Sequence, residues 1–137
     1  MNELDRLRSK HKFSLFACVV MPDHAHLLLW TNQSFLPTLM EDWKRTSGFQ
    51  IAKARRRKGS IWQRRYFDFV LRRAADFGEK FEYIHNNPVA AGLVAHPEDW
   101  PWSTASFYSK KNPSLIAPDP FDLPPDPNEP LWPAPWR

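Results

Sequence analysis

Val19-Val20-Met21-Pro22-Asp23-His24-Ala25-His26-Leu27-Leu28-Leu29-Trp30 is the stretch whose reading decides the fold. Phe13 to Met21 is apolar and β-rich, Pro22-Asp23 interrupts it, and Ala25 to Trp30 is apolar again. Proline presets a turn dihedral and aspartate bonds its own backbone in turns, so the pattern predicts a β-hairpin. His24 and His26 then open the second strand beside the turn. Side chains alternate across a strand, so residues two apart share a face. Two imidazoles on one face are half of a metal site. They are also what two hydrogen-bonded histidines on a strand look like, because two ligands alone do not hold an ion.

The residues around the hairpin alternate between helical and irregular. Residues 2–11 are charged and helix-compatible. Leu36 to Lys58 has an approximate helical stripe of Leu36, Leu39, Met40, Trp43, Phe49 and Ile51, interrupted by Gly48. Ile61 to Asp68 reads as a short strand or loop that Phe69 to Arg73 could continue. From Ala74 to Asn87 the pattern is helical, with Phe77, Phe81 and Ile84 marking the buried face. Tyr83 and Asn87 are four apart and share a different face. Pro88 is expected to end this helix at Asn87. Ala90 to Val94 reads as a second short helix or a turn, and Ser103 as the cap of another short helix.

Charge is uneven. The chain is +4 overall, yet residues 1–111 carry 18 basic against 11 acidic residues and residues 112–137 are acidic. That last segment holds nine of the fourteen prolines and reads as an extended tail, with Trp132 and Trp136 as candidate docking rings. The single cysteine, Cys18, excludes an internal disulfide and suits a reducing compartment. No apolar stretch is long enough to span a bilayer. These features predict a soluble, cytoplasmic protein with no membrane partner.

Three constellations carry candidate chemistry. Asn87 could add an amide oxygen to His24 and His26, a labile set that suits a catalytic Mg²⁺ or Mn²⁺ and leaves positions open for phosphate. A structural zinc site would recruit cysteine or a third histidine, and the hairpin does not bring Cys18 beside both imidazoles. Tyr83, one helical turn before Asn87, is a candidate nucleophile; Tyr66 and Tyr108 lack such a partner and read as packing or DNA-stacking residues. Lys53, Arg55, Arg56, Arg57, Lys58, Arg64 and Arg65 belong to a dense basic region with interleaved aromatic rings. Such a region suits single-stranded or structured nucleic acid, though a solvated helix face has the same composition.

These residues together resemble the single-tyrosine transposases of the histidine–hydrophobic–histidine (HUH) nuclease superfamily, in the branch associated with repetitive extragenic palindromes (REP). The resemblance runs through Val19 to Leu29, Ile61 to Asp68, Tyr83 to Val94 and Asp99 to Ser103, in the family's order. It implies an α+β fold, a ferredoxin-like antiparallel sheet with helices packed on it. It implies that His24, His26 and Asn87 hold Mg²⁺ or Mn²⁺ and that Tyr83 forms a 5′-phosphotyrosine link. The activity implied is cleavage and rejoining of single-stranded DNA beside hairpins. Residues 1–111 would form the transposase domain and residues 112–137 a Pro-rich acidic tail. Met1 falls inside the family's first connecting region, so the first β-strand is expected to be missing. An inactive homologue that still binds structured single-stranded DNA is the alternative that such a loss raises. A monomer and a homodimer are both open.

Overall fold

The computed structural model describes residues 1–31, 35–56, 58–110 and 114–131. The chain divides into two compact units. One comprises residues 1–13 and 30–69, the other residues 14–29 and 70–137. This division differs from a body of 1–111 followed by a tail.

In the first unit, α1 (Asn2–His11) packs on α2 (Leu36–Arg55). Leu4, Leu7 and Leu39 are fully buried, and Trp43 nearly so. The α1 sequence buries only two leucines, so ionic contacts supplement its packing. Asp42 of α2 accepts from Lys10 Nζ at 2.8 Å, lies 2.8 Å from His11 Nε2 and pairs with Arg45. Lys10 and then Arg45 hold its carboxyl far below the usual carboxylate range. Both helices end in a left-handed residue, Lys12 after α1 and Arg56 after α2, the cap geometry that stops a helix. Residues 58–72 form no strand. Of the expected strand or loop at residues 61–68, the loop is what forms. Trp62 fastens it, its ring 5.3 Å from that of Trp43 and its Nε1 donating to Ser47 Oγ at 2.9 Å.

In the second unit, β1 (Ser14–Val20) pairs with β2 (Ala25–Trp30), whose last residue begins the first unit's share of the chain. Among the described residues this sheet has two strands. Met21 N donates to His24 O at 2.7 Å, closing the tight turn at Pro22-Asp23. Five consecutive residues of β1, Leu15 to Val19, are buried, so both faces of the strand are covered. Helix α3 (Ala74–Ala90) packs on β1 and seats Phe77 and Ile84 in the core. Phe81, expected there with them, is half-buried in a cluster with Phe77, His85, Tyr108 and Phe121.

Pro88 does not end α3, which runs on to Ala90. The proline sits in the last turn, where its ring is buried and only one intrahelical donor is lost. Ala91 N still donates to Asn87 O at 3.0 Å. Gly92, at φ 74°, then turns the chain in the left-handed region. The short helix α4 (Ala105–Ser109) follows, and Ser103 Oγ accepts from Ala105 N at 3.1 Å. Its N-cap residue is Thr104, one beyond the serine expected there.

The described part of the Pro-rich segment is extended and packed. Ile116 is buried, and the Phe121 ring lies 4.7 Å from that of Phe77. Asp119 N donates to Leu15 O at 2.7 Å and its carboxylate accepts from Leu15 N at 2.8 Å. Leu131 N donates to Arg72 O at 2.9 Å. Prolines offer few donors, so this segment is held by isolated bonds and ring contacts. Trp132 and Trp136 lie outside the described residues.

Candidate functional site

His24 sits at the end of the hairpin turn, one residue before β2, and His26 is the second residue of the strand. The two-residue spacing turns both rings to one side. Their centroids are 5.0 Å apart and nearly perpendicular. The His24 ring is anchored from behind: Nδ1 donates to Asp23 Oδ1 at 2.6 Å. That bond and the charge of His24 hold the Asp23 carboxyl below the usual carboxylate range. With Nδ1 donating to a carboxylate, Nε2 is the nitrogen left to ligate, the arrangement in which a carboxylate orients a metal-ligating imidazole. Burial, then the nearby charges of His24 and Lys80, lower the pKa of His26 and favour its neutral, ligating form.

Helix α3 brings Tyr83 to this pair. Its ring centroid lies 5.5 Å from that of His26, again edge to face. The Tyr83 side chain is 54% exposed, so its phenol is open to a substrate. Lys80, one turn earlier, places its Nζ 5.6 Å from the Tyr83 ring centroid. Sequence reasoning passed over this lysine, although its i, i+3 spacing from Tyr83 was visible. Asn87 is half-buried one turn beyond Tyr83. Among the described residues, no group of three or more His, Cys, Asp or Glu side chains gathers as a metal site. Two imidazoles that no further His, Cys, Asp or Glu joins in such a group do not have the chemistry of a closed zinc site.

The other tyrosines differ. Tyr108 donates to Phe16 O at 2.6 Å, and burial pushes its phenol up to about 12. It is a packing residue. Tyr66 lies in the loop of the first unit, 36% exposed.

His85, between Tyr83 and Asn87, points the opposite way. Its Nε2 lies 2.7 Å from Thr104 Oγ1, which also accepts from Cys18 N at 3.0 Å. The imidazole thus joins α3 to β1 through Thr104. Burial lowers its pKa to about 4, so it is neutral at ordinary pH. Cys18 is fully buried in β1.

The candidate DNA-binding residues lie on the first unit. Lys53 and Arg55 close α2, Arg56 caps it, and Lys58, Arg64 and Arg65 follow in the loop, all exposed. None of these six forms an ion pair among the described residues, so each ammonium or guanidinium is open to phosphate. Arg57 lies outside the described residues.

Residues 2–87 match the family described as "Transposase IS200 like". A REP-associated tyrosine transposase of Escherichia coli K12 is 31% identical over 99 residues, covering 72% of this chain and 58% of the relative. A Haemophilus influenzae protein with the same description in provisional form is 30% identical over 105 residues, 69% of this chain and 60% of its own length. The chain therefore spans about three fifths of the length of these relatives. A solved structure of a REP-associated tyrosine transposase bound to a REP hairpin superposes with a TM-score of 0.67 at 25% identity, covering 93% of this chain and 76% of that one. The two-stranded antiparallel sheet and its packed helices thus have the fold of that transposase, and the chain belongs to the IS200-like transposase family and is similar to REP-associated tyrosine transposases.

Proposed function

We propose that this chain cleaves and rejoins single-stranded DNA beside a hairpin, through a covalent link on Tyr83. The observation that carries the reading is the row His24, His26, Tyr83, with successive ring centroids 5.0 and 5.5 Å apart. The Tyr83 oxygen attacks the phosphorus of a phosphodiester. A tyrosine–phosphorus bond forms at the 5′ side, the bond to the 3′ oxygen breaks, and that oxygen leaves as a hydroxyl after taking up a proton. The phenol proton passes to solvent, which the exposure of Tyr83 allows. Reversal by a 3′ hydroxyl rejoins the strand without ATP, because the bond energy is kept in the phosphotyrosine.

His24, His26 and Asn87 would hold a Mg²⁺ or Mn²⁺ ion. When bound, the ion supplies charge stabilisation to the phosphate oxygens. Asp23 fixes the His24 ring, and Lys80 adds positive charge beside the phenol. Lys53, Arg55, Arg56, Arg57, Lys58, Arg64 and Arg65 hold the DNA backbone. The setting of this chemistry is the nucleoid of the cytoplasm. Among the described residues, no helix is long and apolar enough to cross a membrane.

The test is a denaturing gel of protein incubated with labelled single-stranded DNA and Mn²⁺. A covalent adduct that disappears in Tyr83→Phe is the expected result. Intact hairpin binding without any adduct would make the chain a binding module instead.

A further inference from the structure

Phe49 projects from α2 with 71% of its surface exposed, on a helix that packs through another face. It stands between two open cavities, of about 380 and 560 Å³, and lines both. The first is bounded by Lys44, Arg64 and Trp62, the second by Lys53 and by the Glu3 carboxylate with Arg6 and Gln50, which both donate to it. Arg45 lines each cavity as well but is held by Asp42. Lys44, Lys53 and Arg64 form no ion pair among the described residues. The floor of the first cavity is built: Trp62 is pinned by Ser47 and Trp43, and a Cβ on Gly48 would come within 3.3 Å of Trp62 Cδ1.

Among the described residues the Phe49 ring stacks on no other ring, and with Lys44 and Arg64 on one side and Lys53 on the other it complements a ligand that is flat and apolar in the middle and anionic at either end. A nucleotide within a single strand has that form, a base between two phosphates. In a duplex the base faces are stacked on their neighbours and cannot meet the ring. We infer that Phe49 is a stacking platform for one unpaired base of a DNA strand, with the flanking phosphates held by Lys44 and Arg64 on one side and Lys53 on the other. This rests on the proposed function for the identity of the ligand as DNA, but not on the chemistry assigned to Tyr83.

Fluorescence anisotropy of a labelled, unstructured oligonucleotide, titrated with the full chain in EDTA over a series of salt concentrations, reads binding without cleavage. Stacking releases no counterions. Phe49→Ala should therefore weaken binding on the order of tenfold while leaving the slope of log K against log salt unchanged. Phe49→Trp should restore affinity. Lys44→Ala and Arg64→Ala should each flatten the slope by about 0.7. A blunt duplex should bind Phe49→Ala as it binds the wild type. Wild-type oligonucleotide affinity in Phe49→Ala, or an equal loss for duplex, would overturn the inference and return the ring to a protein contact. Phe49 is exposed, so a thermal melt that matches the wild type will exclude misfolding as the cause of any loss. If the wild type forms no covalent adduct yet Phe49→Ala loses oligonucleotide affinity, the chemistry of Tyr83 falls and the stacking platform stands.

Discussion

At the scale of single residues, the candidate site depends on the state of a few rings. His24 is oriented by Asp23, and His26 is kept neutral by burial. In the metal site proposed for His24, His26 and Asn87, removing one imidazole takes away half of the nitrogen ligands. His24→Ala should therefore abolish adduct formation and spare hairpin binding, read on the same denaturing gel and by gel shift; normal cleavage by the variant would remove the metal assignment. His85 does different work. Its folded pKa of about 4 lies below the 6.5 of an unburied imidazole. Between those values the unfolded chain binds a proton that the folded chain refuses. Its stabilising contribution is complete above about pH 6.5 and is lost as pH falls toward 4, on the order of 3 kcal/mol in all. Thermal unfolding followed from pH 7 to 4 should show this acid slope in the wild type and a shallower one in His85→Gln. Equal slopes would mean that some other group carries the acid sensitivity.

At the scale of elements, the hairpin and α3 are set largely by local pattern. Pro22-Asp23 between two apolar runs gave away the turn, and the i, i+4, i+7 spacing of Phe77, Phe81 and Ile84 gave away the inner face of the helix. The continuation of α3 past Pro88 was not legible, because burial of the ring and the turn at Gly92 compensate a local penalty with non-local contacts. The packed course of residues 114–131 was hidden for a related reason. Proline density reports poor ladder-forming capacity, and says nothing about single anchors such as Asp119 on Leu15. Asp119→Ala should leave the Leu15 amide without its side-chain acceptor inside a fully buried stretch of β1. A loss of about 1–3 kcal/mol is expected, measured by urea unfolding at neutral pH. A variant as stable as the wild type would show that the segment is held by its backbone bonds and by Ile116 and Phe121.

At the scale of the whole molecule, the two units carry different candidate residues. The unit of residues 14–29 and 70–137 holds His24, His26, Tyr83 and Asn87, while the unit of residues 1–13 and 30–69 holds Lys53, Arg55, Arg56, Lys58, Arg64, Arg65 and Phe49. Binding and chemistry should therefore separate by mutation. Replacing Arg55, Arg56 and Arg57 together by alanine should weaken DNA binding and flatten its salt slope by about 2, at roughly 0.7 for each phosphate no longer neutralised. Anisotropy against salt measures it, and an unchanged slope would return that run to a solvated helix face. Composition and spacing were enough to determine that this chain carries a histidine pair on a hairpin, a tyrosine and an asparagine on one helix face, and a basic stretch, because periodicity and charge are local properties. Only the tertiary structure decided that Tyr83 stands against His26, that His85 faces Thr104 and that Phe49 is left bare between two cavities. Those outcomes depend on how α3 docks on β1 and how the loop at Trp62 closes on α2, and such packing is settled between residues far apart in the chain.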